Sequence, residues 1–230
     1  MIRLCQINDL PILIYFTSKQ CDPGHPRKRV ACAVALLLFF SLRLARAEPE
    51  VNSATEYYDV SADTLGTLLL VLQSEVPERP GGKTFHGYTR ADVNWHWQLA
   101  QAGSRCRVQQ ARAIVNIQTT LPRLYWTTPG SEVERVWQQW MPALARHEQQ
   151  HANNAIHVAR RGEHRLLGLP PQASCEAMNA QAQRMASQLH DELRKIDRDY
   201  DNDTRHGETE GATLQSYLPR RPRQGQRAVE

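Results

Sequence analysis

"ALARHEQQHANNAIH", residues Ala143 to His157, holds three histidines and one glutamate in fifteen residues. If the stretch is helical, His147 and His151 lie about 40° apart on one face, one turn above the other. Two imidazoles so placed can fill two corners of a tetrahedral zinc site. Glu148 is turned from them by about 100° and 60°. It falls beside the metal position, where a carboxylate can take a proton from water, as in the H-E-x-x-H arrangement of zinc hydrolases. This reading makes the back half of the chain helical and puts its chemistry on one helix.

The third ligand is open at this point. "HEQQHANNAIH" differs from the longer H-E-x-x-H-x-x-G-x-x-H pattern at Asn154, which stands where a glycine would turn the chain. Ala155, Val158 and Ala159 continue the apolar stripe, so the helix is expected to run on. His157 then sits about 280° from His147, facing away. A glutamate from a following helix is another common ligand, and Glu176 and Glu192 are the ones to weigh. Glu192 reads better as a solvated partner of Arg194 or Lys195. The remaining candidate is His206, in the polar segment "YDNDTRHGETEGA" (Tyr200–Ala212), which is expected to be a loop.

The surrounding pattern predicts an α+β fold: an N-terminal helix and an antiparallel sheet, packed with a C-terminal helical, zincin-like H-E-x-x-H region. Ser131 and Glu134 form a capping box for the first back-half helix. Pro142 is expected to kink or restart that helix. Ser174 caps a second helix from Cys175 to about Asp199, with Met178, Ala182, Met185, Leu189, Leu193 and Ile196 on one stripe. In the front half, "EYYDV" (Glu56–Val60) is a short strand. Ser61 precedes a helix carrying Leu65, Leu68, Leu69 and Leu72. "DVNWHWQLA" (Asp92–Ala100) alternates apolar and polar residues, and "ARAIVNIQTTLP" (Ala111–Pro122) is β-branched and stops at Pro122. These two should pair antiparallel across "QAGSRC". His86 and His96 read as polar-face or surface histidines.

The first 47 residues are expected to leave the mature protein. "RKRVACAVALLLFFSLRLARA" has a basic start, an apolar run from Val30 to Leu42 and a small-residue end, the grammar of a secretory signal cleaved near Ala47. Its apolar run is shorter than the roughly 20 residues of a spanning helix, so no stable membrane insertion is expected after cleavage. Residues 1–26 precede the basic start and are counted with this leader. One domain then covers 48–214, and the Pro-, Gly- and Gln-rich segment 215–230 reads as a disordered basic tail. The nominal charge of +4 belongs to the leader; the remainder has 21 Lys/Arg against 22 Asp/Glu. A nucleic-acid partner is therefore not expected. Of five cysteines, Cys106 and Cys175 remain after cleavage, and in an exported chain they should form one disulfide. The expected location is periplasmic or secreted.

Several stretches together carry a resemblance: "YYDVSADTL", "FHGYTRADVNWHW", "TLPRLYW" before a Trp-rich helix, "HEQQH", and the late "YDNDTRHGETEGA". With them the chain resembles, over about Glu56 to Ala212, a bacterial domain-of-unknown-function family described as predicted secreted zinc-dependent proteases. The resemblance implies one Zn2+ held by His147 and His151, with Glu148 as general base. It makes His206 the favoured third ligand and Asp201 a carboxylate that orients an imidazole. Tyr200 becomes a hydrogen-bond donor to a developing oxyanion. The implied partner is a peptide or protein substrate. Two alternatives stand beside it: a zinc-stabilised cell-envelope binding protein without turnover, and a zinc hydrolase acting on peptidoglycan peptides or amides.

Overall fold

The hairpin expected across residues 101–106 anchors the sheet. A computed structural model describes residues 48–75 and 85–218; the expected leader and its cleavage site lie outside them. Strand β2 (Tyr88–Ala102) and strand β3 (Arg105–Trp126) pair antiparallel, with Gly103 at φ 62° in the turn. Strand β1 (Glu50–Ser61) lies on the other side of β3 and runs parallel to it, for example Tyr57 against Leu121. The sheet is therefore mixed, with β3 central and β1 and β2 at its edges. A parallel strand has no turn to announce it, and the sequence showed β1 only as the short piece Glu56–Val60.

Strand β3 continues past Pro122 to Trp126. The β2 ladder begins at Tyr88 opposite Thr120, so beyond Thr120 only β1 lies beside β3. A residue without an N–H is tolerated at such an edge.

Alternation decides which face is covered. Val93 and Trp95 of β2 and Ala111, Ala113, Val115 and Ile117 of β3 are buried, while Asn94 and His96 are exposed. Helix α1 (Leu65–Glu75) buries Leu65, Leu68 and Leu72 in a second cluster with Val60, Leu121, Trp140 and Leu144.

Helices α2 (Glu132–Leu167) and α3 (Cys175–Thr204) pack on the core face, contributing Ala152, Ala155, Val158 and Ala159, and Met178, Ala182, Leu189 and Leu193. The small side chains of α2 let it come close to the sheet. At Gly162 an added Cβ would lie 2.3 Å from Trp95 Nε1, and that N–H donates to the Ala159 carbonyl at 3.1 Å.

Helix α2 starts as expected. Ser131 accepts from the Glu134 N–H, and the Glu134 carboxylate takes the Gly130 N–H at 2.6 Å. It then runs unbroken for 36 residues, with Pro142 inside it, roughly 54 Å of helix. The expected restart at Pro142 does not occur. One backbone hydrogen bond is forgone there, and burial of Trp140 on one side and Leu144 on the other offsets it.

Helix α3 begins at its Ser174 cap but extends five residues past Asp199, so Tyr200 and Asp201 are helical rather than in a loop. Glu192 faces α2, where its carboxylate pairs with Arg161 and Arg165; Arg194 and Lys195 pair with Asp191 and Asp199 instead. Cys106 and Cys175 form the expected disulfide across 69 residues. It ties the start of β3 to the start of α3, and closing such a loop contributes about 3–5 kcal/mol. Residues Leu214–Tyr217, partly in the expected tail, form a 3-10 turn with Leu214 buried. No helix among the described residues is long and apolar enough to cross a membrane.

Candidate metal centre

Because α2 is continuous, His147 and His151 stand one turn apart, with ring centroids 5.1 Å from each other. His157 lies exposed on the same helix. The extra turn of α3 brings Asp201 against the pair. Its Oδ1 is 3.4 Å from His147 Nε2 and 3.2 Å from His151 Nε2. Among the described residues, His147, His151 and Asp201 form the group whose ligand atoms all lie within 4.8 Å of one another.

These separations can be tested against a metal. A charge-assisted N–H···O bond is about 2.7–2.9 Å long. Two ligands on a tetrahedral ion with bonds of about 2.0–2.1 Å lie about 3.3–3.4 Å apart. The two separations from Asp201 Oδ1 are longer than a short charge-assisted bond and close to the second case, and the third, between the imidazole nitrogens, lies within 4.8 Å.

The other imidazole nitrogens are also engaged. His147 Nδ1 faces Glu210 Oε2 at 3.0 Å, and His151 Nδ1 faces Asp197 Oδ1 at 3.1 Å. A carboxylate on Nδ1 fixes the ring and leaves the Nε2 lone pair for a metal. Sequence reasoning missed both carboxylates. Asp197 and Asp201 are four apart, a helical pair visible only if α3 is allowed to pass Asp199. Glu210 had no signal in its own neighbourhood.

Glu210 reaches the site through a tight reversal. Arg205, His206 and Gly207 all adopt left-handed conformations, with φ of 53°, 54° and 80°. A Cβ at Gly207 would meet the Ala212 Cβ at 2.6 Å and the His147 ring at 3.2 Å. The Ala212 N–H donates to the Gly207 carbonyl at 2.8 Å, and Trp140 Nε1–H donates to the Ala212 carbonyl at 2.9 Å.

The charges are unequal. Asp197, Asp201, Glu210 and Glu148 surround two imidazoles. Burial pulls the His147 proton affinity down, but hydrogen bonds from its ring to the Asp201 and Glu210 carboxylates outweigh it and the net shift is upward. Burial opposes Asp197 and Asp201 in the same way at His151, whose pKa rises to about 10. For Asp201, burial is outweighed by His147 and His151, which hold its carboxyl well below the usual range. Protons on the two imidazoles offset part of this negative charge, and a divalent cation can take their place. Two imidazoles and a carboxylate form a donor set that a divalent transition-metal ion can accept.

His147, Glu148, His151 and Asp201 open onto a cavity of about 560 Å³. The Glu148 carboxylate is buried, and a Cβ at Gly87 would come within 3.0 Å of its Oε1. His86, expected at the surface, lines this cavity with its ring edge-on to Trp140, and burial lowers its proton affinity. His206 also lines it, half exposed, with Nδ1 3.6 Å from Asp201 Oδ2. The third place in the group is thus held by Asp201, expected only to orient an imidazole, with His206 next to it. Tyr200 stacks on His147 at 4.9 Å, and its hydroxyl donates to Glu210 at 2.8 Å. It borders a smaller pocket with Arg146 and Gln150 rather than the main cavity. Burial, then Glu210, push the Tyr200 hydroxyl's pKa upward, because ionising it would place two anions in contact.

Residues 55–207 match a family described as "Bacterial protein of unknown function (DUF922)". The chain belongs to that family. The match takes in the second half of β1, the hairpin, both long helices and all three members of the metal-ligating group. His147, Glu148, His151, Asp197 and Asp201 thus lie within the residues matched to DUF922, and Glu210 lies just past them. No curated protein and no solved structure matches the chain.

Proposed function

We propose that this DUF922 protein is an exported zinc-dependent peptidase, with His147, His151 and Asp201 holding one Zn2+ and Glu148 as general base. One observation carries the reading. Three potential ligand atoms lie within 4.8 Å of one another, with a buried glutamate beside them, at the wall of a cavity bordered by an edge strand.

A bound zinc supplies a Lewis acid that activates water and polarises a carbonyl. The protein supplies the rest. Glu148 adjoins His147 in sequence and is confined by Gly87, so its carboxylate is held at the cavity wall. There it accepts a proton and passes it to the leaving amine. Asp197 and Glu210 keep the imidazoles oriented. Tyr88 and Thr89, the first residues of edge strand β2, line the cavity. An extended peptide can lie along such an edge as an added strand, its backbone aligned past the metal position. The disulfide supports export, since such bonds persist in oxidising compartments.

The test is zinc content and cleavage of a broad peptide library, including peptidoglycan peptides, by wild type and Glu148→Gln. Wild type is expected to hold one zinc and cleave. The variant should keep the zinc and lose about 10²–10⁴-fold in rate. A zinc-loaded wild type that cleaves nothing would overturn the peptidase reading and leave a zinc-stabilised binding protein.

A further inference from the structure

Asn154 stands where the longer zinc-site pattern has glycine, yet it neither turns the chain nor faces solvent. It is buried, one helical turn beyond His151. Both ends of its amide are engaged. Nδ2–H donates to Asp197 Oδ1 at 2.9 Å, and Oδ1 accepts from Gln150 Nε2–H at 2.9 Å. The Asp197 oxygen that takes the Asn154 proton is the same one that faces His151 Nδ1 at 3.1 Å.

We propose that Asn154 is a positioning residue of the metal centre, acting through Asp197 on His151. This rests on the metal reading above. The Asp197 side chain is about one-third exposed, so solvent competes for its oxygens and its rotamer needs fixing. Asn154 does this from the same helix that carries His151. The bond ties the Asp197 oxygen, carried on α3, to the helix that carries His151. Gln150 fixes the Asn154 amide in turn, so its NH2 group faces Asp197 rather than its oxygen. An oxygen there would repel the carboxylate and release it. His151 then keeps Nδ1 towards Asp197 and Nε2 towards Asp201, the arrangement a ligand needs. Asparagine is also a poorer helix former than alanine, so local helix stability does not account for it here.

The experiment is titration of metal-free wild type, Asn154→Ala and Asn154→Leu with Co2+, followed by visible absorption and by competition with a chelator. Thermal melting of each metal-free protein runs alongside. Wild type is expected to bind one Co2+. Both variants should bind about 10–100-fold more weakly, with altered visible bands, while at least one keeps the metal-free melting temperature. Leucine fills the space that alanine leaves, so a packing defect in one variant does not mask the result. Wild-type affinity and bands in both variants would overturn the inference, and so would lowered melting with affinity unchanged. If wild type itself binds neither Co2+ nor Zn2+, the metal reading fails and takes this inference with it. That result differs visibly from the failure of Asn154 alone.

Discussion

Glu210 lies 63 residues beyond His147 and returns to face its Nδ1 at 3.0 Å. The return takes only the few residues after α3, and it works because Arg205, His206 and Gly207 turn left-handed in succession. Two of these carry a Cβ, which costs roughly 1–2 kcal/mol each in that region. Burial of Leu214 and the Trp140–Ala212 hydrogen bond hold the segment down. The segment expected to be a polar loop is what places Glu210 against one of the two histidines.

Gly207 is the hinge of that return, so Gly207→Ala should damage the metal centre from outside it. The added methyl meets the His147 ring and Ala212, at a φ that already disfavours it. Loss of about 1–3 kcal/mol in metal-free stability is expected, with zinc affinity at least about tenfold lower. A chelator-competition titration that finds wild-type affinity would show that Glu210 is not needed to orient His147.

Asp201 and His206 can be separated by metal content. Asp201→Ala should lose stoichiometric zinc, because it removes the one oxygen placed near both Nε2 atoms. His206→Ala and His157→Ala should each retain it. Elemental analysis of the three purified proteins decides the matter, and retention by Asp201→Ala with loss by His206→Ala would reverse the ligand assignment.

Much of this site was legible because its signals are local. The i, i+4 histidines, the capping box of Ser131, the cap at Ser174 and the alternation of Val93, Trp95 and Trp97 each depend on neighbours in the chain. The illegible parts depend on distant ones. Pro142 carries a helix-breaking signal that Trp140 and Leu144 override by tertiary packing. Asp201 was misplaced into a loop because α3 continues past polar residues whose support comes from α2. The parallel pairing of β1 with β3 joins residues 64 apart, such as Tyr57 and Leu121, with no turn chemistry between them.

Glu163 gives a pH dependence separate from the metal. Its Oε1 accepts the Ala113 N–H at 2.6 Å, and Oε2 has no partner among the described residues. Burial raises its carboxyl above the ordinary 4.5, against the lowering effect of that N–H. The folded state therefore holds the proton more tightly than the unfolded state. This contribution is full below about pH 4.5 and is lost as pH rises through the folded value. Relative to wild type, Glu163→Gln should be most favoured near neutral pH and lose that advantage as pH falls. Urea unfolding of both proteins at several pH values checks this; a difference independent of pH would mean that Glu163 titrates normally.

Gly162 tests how closely α2 must approach the sheet. In a free helix, replacing glycine by alanine gains about 1 kcal/mol. Here the new Cβ would fall 2.3 Å from Trp95 Nε1 and 2.9 Å from Leu189 Cδ1. The indole has to move, giving up its hydrogen bond to Ala159 and its edge-on contact with His190, where the centroids are 5.0 Å apart. Overpacking of this kind costs about 1–3 kcal/mol, so the steric effect should win and Gly162→Ala should destabilise. Gly162 lies three turns beyond His151 on the core side of the same helix, so zinc affinity should fall as α2 shifts. Denaturant unfolding and zinc titration of the variant measure the two effects. A variant as stable as wild type would show that the Trp95 pocket yields without moving the helix.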